Sequence, residues 1–79
     1  MFKLRTEHGT PLPFNSISYD LSCRVAHFVR KFGGFDCFVV DMETERACSE
    51  VTEHNVPRDR WARKVAHDLL RGESHSRLV

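Results

Sequence analysis

No run of apolar residues in this 79-residue chain is longer than the four of Cys37 to Val40, far short of the roughly 20 that a membrane-spanning helix needs. No apolar stretch follows the first residues either. The polar segment Lys3 to His8 is expected to exclude a signal peptide, and no membrane association is expected. Cysteine is scarce: Cys23, Cys37 and Cys48 are odd in number and lack CxxC spacing, which argues against a disulfide framework or a structural zinc site. The expected setting is a reducing compartment, the cytoplasm. Catalytic and cofactor motifs are missing as well. The scattered histidines form no HExxH motif, and the acidic stretch lacks EF-hand spacing with its glycine. No metal and no cofactor is expected.

The residues that are present describe a small globular domain, with 41% hydrophobic and 29% charged residues. Residues 1–79 are read as a single domain, with 1–7 and 73–79 as ends prone to fray. A chain of this size buries about 60 to 65% of the surface it exposes when unfolded, so one modest core is the limit.

Phe2-Lys3-Leu4-Arg5-Thr6 alternates apolar with polar residues, as a strand with one buried face does. His8 to Pro13 reads as a prolyl loop, because two prolines remove backbone donors and disfavour helix before them. A helix follows, with Ser18 as N-cap and Leu21, Val25, Phe28, Val29 and Phe32 on one stripe that Ile17 extends. Gly33-Gly34 ends it. Phe35 to Met42 is the best strand, since Phe38, Val39 and Val40 favour a buried sheet position. Glu43 to Arg46 then turns the chain into a second strand through Glu53, completing a hairpin.

The second helix is expected to be capped by Asn55, with Pro57 in its first turn, Trp61, Val65 and Leu69 on its apolar face, and Gly72 at its end. Trp61, Val65 and Leu69 are expected to meet Leu21, Val25 and Phe28 over the sheet. The tail Ser76 to Val79 can add an edge strand. The fold class is therefore α+β, a small antiparallel sheet with two helices on one face in the order β-α-β-β-α(-β), the ferredoxin-like arrangement.

Charge is sorted along the chain. Five cations against Glu7 and Asp20 leave +3 up to Gly34; six acids against Arg46 leave −5 from Phe35 to Asn55; six cations against three acids leave +3 beyond. Such a dipolar surface steers charged partners even at a net charge of +1. Two charged patches are candidate binding surfaces. Asp41, Glu43, Glu45, Glu50 and Glu53 form an acidic hairpin suited to a basic surface on a partner, or simply to guarding a sheet edge. Helical spacing places Arg60, Arg63, Lys64, His67 and Arg71 opposite Trp61, Val65 and Leu69, a basic stripe suited to phosphates or an acidic protein, or simply a solvated face.

A third face carries Tyr19, Cys23, His27 and Arg30 on the first helix. Cys23 and His27 are i,i+4 and invite a nucleophile-base reading, but no third group is placed to orient His27, and tyrosine with arginine suits a protein contact better. RNA-recognition motifs share the strand and helix order, yet their mode stacks bases on aromatics of the two central strands. Ala47 to Glu53 has no aromatic.

The sequence reads as a protein-binding module without catalytic residues, not an enzyme, occupying a charged surface of a protein or nucleoprotein complex. Its small size, lack of motifs and opposed charge patches resemble, in general style, phage or mobile-element inhibitors of host machinery such as the anti-CRISPR proteins. The alternative is an accessory protein that binds nucleic acid through the basic second helix; a small Cys/His enzyme ranks behind both.

Overall fold

The computed structural model describes residues 1–48 and 59–77. Along the chain these form β1 (Phe2–Thr6), β2 (Pro11–Ser16), α1 (Tyr19–Gly33), β3 (Cys37–Asp41), β4 (Arg46–Cys48), α2 (Arg60–Leu70) and β5 (His75–Arg77). The sheet runs β4-β3-β1-β2-β5. Its first four strands pair antiparallel, and β5 joins the edge parallel to β2. The α+β class expected from the sequence, two helices on a small antiparallel sheet, is the class observed. No helix among the described residues is long and apolar enough to cross a membrane.

Residues 11–16 correct one expectation. The segment read as a prolyl loop turns at Gly9, which adopts φ 82°, and returns as β2. The prolines are tolerated because of where they fall. Between the pairs Lys3–Asn15 and Arg5–Pro11, β1 advances by two residues and β2 by four, so the ladder is irregular there and Pro13 sits inside the irregularity. β5 pairs only with Phe14 to Ser16, beyond both prolines. Proline within sheets is confined to such bulges and unpaired edges, where no ladder donor is missed.

α1 begins as expected at Ser18, whose hydroxyl accepts from the Leu21 amide at 3.2 Å. It ends on Gly34, left-handed at φ 72°, whose amide returns to the Arg30 carbonyl. The apolar stripe is shorter than expected. Ile17 lies outside the helix and is 52% exposed, and Leu21 is only half-buried. α2 also departs from expectation. Its N-cap is Asp59, not Asn55, with the carboxylate accepting from the Ala62 amide at 3.0 Å. Asn55 and Pro57 lie outside the described residues, as do Ser49 to Glu53 of the expected longer strand and Leu78 and Val79.

The core is continuous through both helices and the sheet. Leu4, Phe14, Cys37 and Val39 from the strands pack with Val25, Ala26, Phe28 and Val29 of α1 and Ala62, Val65, Ala66 and Leu69 of α2. Both helices therefore cover the same face. Trp61 is half-buried at the margin of this cluster, its ring edge-on to His75. The other face of the sheet carries Phe38, 39% exposed and paired across the ladder with Arg5.

Candidate functional site

The position of α2 follows from its cap. One Asp59 oxygen closes the first turn, and the other accepts from Arg24 of α1 at 2.5 Å, while the same guanidinium reaches Asp20 at 2.6 Å. This ties the start of α2 to α1. With Ala62, Val65, Ala66 and Leu69 turned inward, the 100° step between residues turns Arg60, Arg63, Lys64 and His67 outward. Together with Asp68 and Arg71 they line an open groove of about 450 Å³. All five members of the basic stripe expected from the sequence are thus brought together.

Among the described residues, four permanent cations face this groove against one carboxylate. No ion pair within the described residues engages Arg60 or Lys64, although the two are like charges at i,i+4 and repel each other by about 0.2 to 0.5 kcal/mol. The Arg63 guanidinium lies 5.3 Å from the centre of the Phe32 ring, a cation–π position that holds it on the helix surface. Arg71 donates to Asp68 and, at 3.2 Å, to Glu73.

Asp68 itself is buried, only 6% exposed. His75 on β5 meets its second oxygen at 2.9 Å. That hydrogen bond first, then the Arg71 charge, holds the carboxyl below the usual aspartate range against the opposing effect of burial. The carboxylate is thereby spent on locking β5 and the end of α2 together.

The acidic hairpin fares differently. Asp41 accepts from the Glu43 amide at 2.9 Å and so stabilises its own turn. Glu45, at φ 56°, pairs with Lys3 at 3.0 Å. Glu43 is exposed, and Glu50 and Glu53 lie outside the described residues. Two of the three described acids are therefore already engaged by the protein's own groups. No group of three or more His, Cys, Asp or Glu side chains among the described residues is placed to hold a metal ion.

The face of α1 is likewise divided among structural contacts. Tyr19 tilts against Phe2 at 5.4 Å between ring centres and hydrogen-bonds with the Cys23 side chain. His27 lies edge-on to Phe28 at 5.2 Å, and Arg30 donates to the Cys37 carbonyl at 3.0 Å. No hydrogen bond joins Cys23 to His27 among the described residues. Burial raises the Cys23 thiol above its ordinary range and pushes Cys37, fully buried, up to about 12. Thiolates are the reactive form, so neither thiol is set up as a nucleophile.

No protein-family model, curated protein or solved structure matches this chain. The chemistry of the α2 groove stands on its own residues. One part of it escaped the sequence reading. Phe28 and Phe32 stack at 5.8 Å with 12° between their planes, and Phe32 stacks on His67 at 4.3 Å and 17°. The i,i+4 spacing of the two phenylalanines places them on one side of α1, but that His67 of α2 completes the row depends on how the helices cross.

Proposed function

We propose that this chain is a non-enzymatic binding module that lays the basic face of α2 along the phosphates of a nucleic acid. The observation that carries this reading is the groove itself, where Arg60, Arg63, Lys64 and Arg71 converge with Asp68 as the sole acid among the described residues that line it. From Arg60 to Arg71 the helix rises about 16 Å, enough to follow several charges of a nucleic-acid backbone. The acidic turn does not oppose such a partner. It belongs to β3 and β4 at one end of the sheet, whereas α2 lies against α1 and β2 toward the other.

An acidic protein surface is the competing partner, and the inhibitor role expected from the sequence would be exercised by occupying such a surface or the phosphates of a nucleoprotein target. Fluorescence anisotropy with labelled DNA and RNA oligonucleotides at about 50 mM salt tests the reading. The wild type should bind, and Arg60→Ala with Lys64→Ala should bind roughly tenfold more weakly because two phosphate contacts are lost. Absence of binding, or equal binding by the double variant, would overturn it.

A further inference from the structure

The row of rings beside the cations gives the groove a second recognition element. Phe28 is buried, Phe32 half-buried and His67 exposed, so the stack leads from the core outward to the groove. The planes of Phe28 and Phe32 differ by 12° and those of Phe32 and His67 by 17°. The imidazole is thus backed by an aromatic surface that fixes its plane. A flat ring held in this way beside a strip of guanidinium and ammonium groups is the combination by which proteins hold single strands: cations follow the backbone and an aromatic face takes a base. A duplex would meet the same cations but keeps its bases stacked inside, with no π-face to offer.

From this arrangement we infer that the α2 groove takes a single-stranded nucleic acid and that one base stacks on His67. The inference rests on the nucleic-acid reading above and narrows it to one class of strand. Arg60, Lys64 and Arg71 hold the backbone on either side of that base. Arg63 stays over Phe32, stiffening the platform. Stacking reads no hydrogen-bond pattern, so preference among bases is weak.

The test uses the full chain with two labelled probes, a short thymidine strand and a fully paired DNA hairpin of equal charge closed by a non-nucleotide linker, at matched ionic strength. The wild type is expected to favour the single strand. His67→Ala should lose about fivefold or more on the single strand, the loss of one base–aromatic stack, while its affinity for the hairpin falls by a clearly smaller factor. His67→Tyr should restore single-strand binding, which separates loss of a stacking face from loss of charge. A strand carrying 2-aminopurine supplies a readout that simple packing of His67 would not move: its fluorescence should be quenched by the wild type and by His67→Tyr, and not by His67→Ala. Equal affinity of the wild type for both probes, or an equal effect of His67→Ala on both, would overturn the stacking inference while leaving phosphate binding in place. Binding to neither probe would overturn both.

Discussion

Asp68 is the charged side chain that the described part of the fold buries most completely, and its carboxylate faces both His75 and Arg71. Its lowered folded-state pKa has a definite consequence for stability. Because the folded value lies below the ordinary 3.8, Asp68 stabilises the fold fully above that pH, and the contribution disappears as pH falls through the lower folded value. Asp68→Asn removes it. The gap in melting temperature between wild type and variant should therefore be wide at neutral pH and narrow on acidification below about pH 4. A gap independent of pH would contradict the assignment. The thiols make a second residue-scale prediction. Cys37, with its pKa pushed up to about 12 inside the core, should resist alkylation in the folded protein and react only when unfolding exposes it. Mass spectrometry of the alkylated protein checks this, and early labelling of Cys37 would mean that the core is open there.

Among the elements, β2 separates what the sequence made legible from what it did not. Proline and loop go together for good local reasons, and Pro11 and Pro13 fall in one short segment. Missing from that local reading is the bulge against β1, which removes the need for the donor that Pro13 lacks. Once β2 is a strand, Phe14 becomes the largest fully buried side chain of the described fold, at 1% exposure. Phe14→Ala should then cost about 3 to 5 kcal/mol, whereas Ile17→Ala, next to the same strand but half exposed, should stay within about 0.5 kcal/mol. Urea unfolding of the two variants measures both. A mild effect at Phe14 would return residues 11–16 to a surface loop. The helices were more readable because a 3.6-residue period survives a change of context: Val25, Val29, Val65 and Leu69 are buried as their spacing requires. The start of α2 was misplaced because Asn55 and Asp59 are equally good caps in isolation. Arg24, thirty-five residues away, favours Asp59 by neutralising its second oxygen, and a contact across that distance leaves no local trace.

Over the whole described molecule, the acidic turn and the basic last block visible along the chain fall on different elements, while Lys3 of the first basic block pairs with Glu45 of the turn. The acidic turn joins β3 and β4 at one end of the sheet, and α2, which carries the basic face, packs against α1 and β2 toward the other. The basic stripe was legible because all its members lie on one helix, where spacing alone fixes direction. The acidic patch was less so, since Lys3 reaches Glu45 from a neighbouring strand and Asp41 turns back on its own chain. The stacked row under His67 was not legible at all, because it spans two helices. The central claim, that the α2 face holds phosphates, is tested most directly by the slope of log affinity against log salt for a labelled single strand. The three cations assigned to the backbone, Arg60, Lys64 and Arg71, predict a slope of about −2 for the wild type and about −0.7 for Arg60→Ala with Lys64→Ala. Identical slopes for the two proteins, or an affinity that does not change with salt, would contradict it.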